Sequence, residues 1–343
     1  MSSPASLPAE VIPYKKKEKR MKLRSLGASD LLVSPIGLGC WQFSKGRGLA
    51  GRYWPVLSDE TIKEIVKVSI EGGVNWFDTA ELYGNGASEK ALSTALISLE
   101  KTTGNVVIAT KWSPMFRTAA SILRTIDDRI RSLQNLRIDL YQVHQPLGFS
   151  TVEKEMDAMA RLVDAGKIRY VGVSNFNADR MRRAHAQLRR HGLALVSNQM
   201  SYSLLKRGIE KNGVVETAKE LGISIIAYSP LAQGILTGKF HKQNDQAAQP
   251  VGIRKYLPGF RRGGLERSRP LIARLGQVAE AHGSTPAQVA LQWLNSFQGE
   301  LVVAIPGASS AAQAMQNAKS MEIVLTQDEM HSLDEVSRGC QHG

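Results

Sequence analysis

Cysteine is scarce in this chain. Only two occur among 343 residues, Cys40 near the start and Cys340 near the end. Such a wide separation gives neither the short spacing of zinc ligands nor the density of a disulfide-rich secreted scaffold. We therefore expect a reducing compartment and no metal site.

Long apolar runs are also missing. No stretch approaches the roughly 18 apolar residues that a membrane-spanning helix needs. The N-terminus does not have the charged-then-apolar order of a secretory signal. We expect a cytoplasmic protein with no membrane partner, and a plastid or another organelle is the alternative location.

Acidic residues are outnumbered by basic ones. The chain has 44 Lys and Arg against 31 Asp and Glu, a formal charge of +13, and residues 15–24 and 254–269 carry eleven of those charges. A duplex-binding domain would instead present its basic residues on one face of the folded body. We therefore expect no nucleic-acid partner, a disordered basic arm over residues 1–20, and a basic loop that clamps an anionic ligand. A protein partner for the arm is left open.

Hydrophobic periodicity predicts the fold. The runs Met21–Leu26 and Leu31–Val33 predict a β-hairpin. Eight apolar strand candidates then alternate with amphipathic stretches, and no change of composition divides them. This pattern predicts an α/β protein with a single (β/α)₈ TIM barrel over residues 21–343. The strand candidates are Ile36–Cys40, Val74–Phe77, Val106–Thr110, Leu140–Val143, Tyr170–Val173, Leu195–Ser197, Ile223–Ala227 and Leu301–Ile305.

The amphipathic stretches predict the helices. Ser58 and Thr285 are predicted N-caps, because their hydroxyls can accept from the free amides of a first turn. The connection Leu231–Arg269 exceeds the usual loop length of ~15 residues, and we interpret it as a lid. The predicted helices are Asp59–Glu71, Ser88–Leu99, Ala119–Leu136, Val152–Ala165, Ala178–Arg190, Val214–Leu221, Pro270–His282 and Pro286–Phe297.

Polar side chains stand where the predicted strands end. In barrels of this kind, chemistry collects at the carboxyl ends of the strands. Taken singly, each residue has a structural explanation: Lys111 can extend to solvent, and His144 can be a hydrogen-bonded core histidine. Together they predict one polar pocket. The residues are Cys40, Trp41, Asp78, Lys111, His144, Ser174, Asn175, Gln199, Tyr228 and Ser229.

Three of these groups and a nearby phenol suggest proton donation. A tyrosine has a pKa near ~10, and a neighbouring ammonium lowers it. We expect Lys111 to do this for Tyr83, Asp78 to keep Lys111 charged, and His144 to orient a substrate oxygen. No side chain offers a redox centre, so a reduction would take its hydride from a cofactor.

At this point the chain resembles the aldo-keto reductases, over residues 21–338. Its motifs are most similar to the branch that contains bacterial and plant reductases and the potassium-channel β-subunits. The matching stretches are residues 37–41 (GLGCW), 78–84 (DTAELYG), 110–111 (TK), 139–144 (DLYQVH), 166–169 (GKIR), 172–176 (GVSNF), 198–199 (NQ), 228–239 (YSPLAQGILTGK) and 305–309 (IPGAS).

The resemblance implies a function and a set of site residues. It implies an NADPH-dependent reductase of a small aldehyde or ketone, with Asp78, Tyr83, Lys111 and His144 as the catalytic tetrad and Tyr83 as the acid. It implies NADPH/NADP⁺ as the cofactor and no metal. The implied cofactor contacts are Cys40, Trp41, Asp78, Ser174, Asn175, Gln199, Tyr228, Ser229, Leu231, Gln233, Gly234, Lys239, Ser309, Gln313, Gln316 and Asn317.

Three positions depart from the family pattern. Gln313 stands where many relatives have Arg, Gln316 where they have an acid, and Cys40 where Thr is frequent. The missing Arg weakens NADPH selectivity, because a guanidinium pairs with a 2′-phosphate better than an amide does. Arg254, with Arg261 and Arg262, is expected to compensate.

Two other functions use the same residues. The first is a regulatory subunit that senses NADP(H) and binds a partner protein with little turnover. The second is an aldolase-like enzyme in which Lys111 forms a Schiff base, and pairing of Lys111 with Asp78 argues against it. For the substrate wall, the candidates are Trp41, Trp54, Trp112, Phe116 and Phe176.

Overall fold

The computed structural model describes residues 22–51, 53–99, 106–241 and 255–341. The predicted arm over residues 1–20 lies outside the described residues. So do Arg254 and the middle of the predicted lid.

The strands form a two-stranded hairpin and an eight-stranded parallel barrel, so both predictions are confirmed. The barrel strands follow one another in chain order, and its last strand meets its first. There the Gly37 amide donates to the Ala304 carbonyl at 2.8 Å, and the Gly39 amide donates to the Pro306 carbonyl at 3.1 Å. The strands are β1 (Arg24–Ser25), β2 (Leu32–Val33), β3 (Leu38–Gly39), β4 (Trp76–Asp78), β5 (Val107–Trp112), β6 (Leu140–Val143), β7 (Tyr170–Ser174), β8 (Leu195–Ser201), β9 (Ser224–Tyr228) and β10 (Val302–Ala304).

The hairpin of β1 and β2 covers the amino end of the barrel. Leu26, Leu31 and Val33 are buried in one cluster with Val107 and Leu140, which begin β5 and β6. Burial of these apolar groups favours the closed end by removing their surface from water. The opposite end of the barrel, where the strands finish, is left for the pocket.

The helices pack outside the strands. Ser58 and Thr285 cap their helices as predicted, and Thr285 forms a capping box with Gln288. No helix in the described part of the chain is both long and apolar enough to span a membrane. The helices are α1 (Gly48–Gly51), α2 (Asp59–Glu71), α3 (Ala87–Ser98), α4 (Ala120–Ser132), α5 (Val152–Asp164), α6 (Ala178–Arg190), α7 (Val214–Leu221), α8 (Arg262–Ala281), α9 (Pro286–Phe297), α10 (Ala311–Lys319) and α11 (Gln327–Gly339).

Several predicted boundaries are wrong. Strand β8 runs to Ser201 rather than Ser197, and α4 ends at Ser132 rather than Leu136. Two further differences affect the predicted lid and the active site. Helix α8 begins at Arg262 rather than at Pro270, and Pro270 lies inside it. The last part of the connection Leu231–Arg269 is therefore helix and not loop. Strand β5 extends past Thr110 to Trp112, because Lys111 pairs in register with Gln142 of β6. Lys111 is therefore part of the barrel wall.

Candidate active site

A cavity of about 720 Å³ opens at the carboxyl ends of the barrel strands. Tyr83 and His144 line this cavity, and Lys111 lies beneath its surface. Every cofactor contact implied by the resemblance lines the same cavity, whereas Arg254, which was expected to compensate for Gln313, is outside the described residues. These are Cys40, Trp41, Asp78, Ser174, Asn175, Gln199, Tyr228, Ser229, Leu231, Gln233, Gly234, Lys239, Ser309, Gln313, Gln316 and Asn317.

Lys111 is fully buried and makes three polar contacts. Its Nζ donates to the Asp78 carboxylate and to the Thr79 carbonyl at 2.8 Å, and it lies 3.5 Å from the Tyr83 hydroxyl. Burial acts to lower the pKa of Lys111, but the charge of Asp78 and the contact with Tyr83 outweigh it and raise that pKa. Lys111 therefore stays charged at neutral pH.

The partner carboxylate is held in a fixed orientation. The second oxygen of Asp78 accepts from Gln199 Nε2 at 2.9 Å and from Gln142 Nε2 at 3.1 Å. These donors come from β8 and β6, so the barrel itself aims Asp78 at Lys111. A buried ion pair is stable only when its remaining hydrogen-bonding capacity is satisfied, and the two amides supply this.

The pKa of Tyr83 does not move in the predicted direction. Burial is the largest influence and raises that pKa above its usual value, while the charge of Lys111 lowers it and that of Asp78 raises it further. The prediction of a net lowering is wrong, because the phenolate loses more by desolvation than it gains from one ammonium that is shared with Asp78. Tyr83 therefore carries its proton at neutral pH, as an acid requires.

His144 is neutral over the physiological pH range. Burial is the first cause and the nearby charge of Lys111 the second, and together they lower the pKa of His144 to about 3. Its ring meets that of Tyr83 edge to face, with centroids 5.6 Å apart. Its Nδ1 is buried without a hydrogen-bond partner among the described residues. A neutral imidazole beside a protonated phenol can orient a carbonyl oxygen without competing for the proton.

This placement predicts the pH behaviour of His144. We expect its imidazole to show no titration between about pH 5 and 8, since the charged form would lose hydration in the barrel. The unfolded chain binds a proton near pH ~6.5, so the free energy of unfolding should fall as pH drops from there towards about 3. Histidine NMR with His144→Asn for assignment tests this, and a midpoint near the unperturbed value would contradict it.

One wall of the cavity presents amides and a flat ring. Ser174 Oγ donates to the Gln199 carbonyl at 2.9 Å, and Asn175 Nδ2 donates to Ser174 Oγ at 3.0 Å. The Tyr228 hydroxyl donates to Asn175 Oδ1 at 2.9 Å. Asn175 adopts the left-handed conformation, with φ of 60°. The three neighbouring strands β7, β8 and β9 thus build a rigid wall.

The segment after β9 turns sharply at the cavity edge. Ser229, Ala232, Gln233 and Gly234 all have positive φ, with values of 51°, 47°, 57° and 102°. The amides of Ala232 and Gly234 donate to the carbonyls of Ser229 and Leu231, each at 2.9 Å, so these residues form tight turns at the cavity edge. Lys239 supplies a cation on the same lining.

The far end of the cavity is formed by the first turn of α10. Ser310 caps this helix, and its hydroxyl accepts from the Gln313 amide at 3.3 Å. The Gln313 side chain accepts from the Ser309 amide at 2.9 Å, and Asn317 Nδ2 donates to the Gly307 carbonyl at 3.3 Å. A helix N-terminus attracts negative charge, so this end suits a phosphate.

Several predicted residues lie away from the cavity. Trp112 and Phe176 are fully buried in the outer core, and Phe116 is 82% exposed, whereas Trp41 and Trp54 do form cavity wall. Of the arginines described between residues 255 and 269, none lines the cavity. Arg267 instead lines a second cavity of about 490 Å³. The basic loop therefore does not form the expected clamp with its described residues.

Sequence reasoning missed Tyr53. Its hydroxyl donates to Gln233 Oε1, and its ring stacks on Trp41 with centroids 4.8 Å apart. The only sequence signal was its position beside Trp54, between two predicted elements.

A closed parallel barrel whose strand ends bury a lysine–aspartate pair beside a phenol is the architecture of a barrel oxidoreductase. A profile of the Aldo/keto reductase family matches residues 35–338. The chain belongs to that family, which confirms the resemblance and the fold that it implied.

Sequence relatives and solved structures agree. An uncharacterized oxidoreductase of Mycobacterium tuberculosis is 41% identical over 307 residues, which are 89% of this chain and 90% of that protein. A probable aldo-keto reductase of Glycine max is 31% identical over 90% of this chain and 87% of its own. A thermostable aldo-keto reductase in complex with the inhibitor epalrestat superposes with a TM-score of 0.73 at 28% identity, over 92% of this chain and all of that one. The glycerol dehydrogenase of Gluconobacter oxydans superposes with a TM-score of 0.78 at 26% identity, over 92% of this chain and 94% of that one.

Proposed function

We propose that this oxidoreductase reduces a small aldehyde or ketone to an alcohol with NADPH. The observation that carries the proposal is the fully buried Lys111, which contacts both the Asp78 carboxylate and the Tyr83 hydroxyl at the base of the cavity. This arrangement places a protonated phenol at the cavity wall. The same charges leave no deprotonated lysine to act as a nucleophile, which argues against a Schiff base.

Each side chain of the site has a separate role in carbonyl reduction. Tyr83 gives its proton to the substrate oxygen as negative charge develops there. Lys111 then stabilises the phenolate that remains, and Asp78 keeps Lys111 charged and in place. His144 holds the substrate oxygen beside the phenol. A nicotinamide cofactor supplies the hydride when it is bound.

The cavity fits a dinucleotide along its whole lining. Asn175 and Gln199 offer amide partners for a carboxamide, and Tyr228 offers a ring on which a nicotinamide can stack. The segment Ser229–Gly234 lies on the same lining as the Lys239 cation, which suits a pyrophosphate. The N-terminus of α10, with Gln313, suits the adenosine end.

Cofactor selectivity has a specific structural test. Among the described residues, Asp78 is the sole acid on the cavity lining, so none at the adenosine end would repel a 2′-phosphate. We expect NADPH to be preferred over NADH. Replacing Gln313 by Arg should lower the KM for NADPH roughly tenfold and leave that for NADH within about twofold, because a charge-assisted pair contributes ~1.5–3 kcal/mol.

The control for that experiment is Gln313→Met, which removes the amide and adds no charge. It should shift both KM values by similar small factors. If Gln313→Arg improves NADH as much as NADPH, Gln313 does not face the 2′ position, and the assignment of this end is wrong.

The proposed reaction is tested by steady-state turnover. NADPH oxidation with 4-nitrobenzaldehyde or methylglyoxal should proceed over many cycles and yield the alcohol. A single slow turnover with the cofactor retained would favour the NADP(H)-sensing regulatory subunit instead. Oxidation without any carbonyl dependence would refute the reductase.

A further inference from the structure

Tyr53 connects two sides of the cavity mouth. Its hydroxyl donates to the side-chain oxygen of Gln233, a residue 180 positions away in sequence. Tyr53 follows the first barrel strand and Gln233 follows the seventh. The contact therefore spans the rim between two loops that the barrel brings together.

The ring of Tyr53 is the outer member of a series of stacked aromatic rings. It lies on Trp41 with centroids 4.8 Å apart and the ring planes within 22° of parallel. The ring of Trp41 in turn stacks on that of Tyr83, with ring centroids 6.0 Å apart and an angle of 22° between the ring planes. Trp54 meets both Tyr53 and Trp41 edge to face, at 5.1 and 5.8 Å. Three near-parallel rings thus reach from the rim to the proposed acid.

The other end of the contact is a strained segment. Gln233 has φ of 57°, and Ser229 and Ala232 before it are also left-handed without being glycine. Non-glycine residues hold this conformation only where surrounding contacts determine it. Tyr53 supplies one such contact to the segment that would cover a pyrophosphate.

We propose that Tyr53 is a positioning residue that latches the segment Ser229–Gly234 over the bound cofactor and, through Trp41, sets the position of Tyr83. The inference rests on the proposed function, because it takes the ligand of this cavity to be NADPH. The hydroxyl and the ring have separate tasks. The hydroxyl slows cofactor release, and the ring aligns the acid.

The hydroxyl is tested by cofactor release. Trp41 and Trp54 line the cavity, so their fluorescence reports NADPH binding in a stopped-flow instrument. Tyr53→Phe keeps the ring and should release NADPH roughly fivefold faster, as expected for one neutral hydrogen bond. The matched control is Tyr256→Phe, at a tyrosine that is 62% exposed and lines neither cavity, and it should match wild type.

The ring is tested by single-turnover reduction with saturating NADPH. Tyr53→Leu removes the stack and should slow the reduction step about tenfold, whereas Tyr53→Phe should stay within about twofold of wild type. Thermal unfolding of each variant separates this from loss of the fold.

Each outcome has a distinct meaning. Equal NADPH release rates in wild type and Tyr53→Phe would overturn the latch. Equal rates of the reduction step in Tyr53→Phe and Tyr53→Leu would overturn the role of the ring in aligning Tyr83. If wild-type protein binds no NADPH at all, the proposed function and the latch that rests on it are both overturned.

Discussion

Tyr83→Phe should abolish carbonyl reduction and leave NADPH affinity within about twofold of wild type. The substitution removes one hydroxyl, whose hydrogen-bond partner among the described residues is Lys111 Nζ, at 3.5 Å. Loss of a positioned acid costs typically ~10²–10⁴-fold in rate. The measurement is kcat with a saturating carbonyl substrate, together with NADPH titration by fluorescence.

Tyr141→Phe is the matched control for this loss. Tyr141 is fully buried on β6, and its hydroxyl has no hydrogen-bond partner among the described residues. Removing that hydroxyl should leave activity intact. If Tyr83→Phe turns over like wild type while the control behaves as expected, another group donates the proton.

Lys111→Met should also eliminate turnover, and it should destabilise the protein. The variant leaves Asp78 as an unpaired buried charge, which costs ~3–5 kcal/mol of unfolding free energy. It also removes the ammonium that opposes the effect of burial on the pKa of Tyr83, so that pKa rises further. Denaturant unfolding and kcat measure the two effects separately.

A second substitution separates stability from catalysis. In the double variant Lys111→Met with Asp78→Asn, both charges are gone, and Gln199 and Gln142 can still donate to the amide oxygen. We expect most of the lost stability to return while activity stays absent. Recovery of activity would show that the ammonium does not assist Tyr83, and that the single variant failed through misfolding.

The sequence predicted the pocket because parallel strands constrain it. Asp78, His144 and Ser174 each follow or end an apolar run, and in a barrel all such ends meet at one edge. Predicting that these residues lie together therefore required only the correct number of strands. The N-caps at Ser58 and Thr285 were equally accessible, because a cap depends on residues within one turn.

Local sequence signals did not predict two element boundaries that depend on packing with distant residues. Pro270 has the sequence signature of a first helical turn, but α8 begins eight residues earlier at Arg262. Lys111 was expected after β5 and lies within it, since pairing with Gln142 extends the strand. Neither outcome is encoded in the neighbouring residues.

The barrel, the family and the residues at the strand ends could all be predicted from the amino-acid sequence, because periodicity and the order of the motifs are read directly along the chain. The direction of the Tyr83 pKa shift required the folded structure, since burial outweighs Lys111 there and desolvation depends on every group packed around the phenol. The folded structure alone joined Tyr53 to Gln233, because closing the barrel brings the first and seventh strand loops together at one rim. The pKa of a buried group and a contact between distant loops both depend on residues from many parts of the chain, so no single stretch of sequence predicts them.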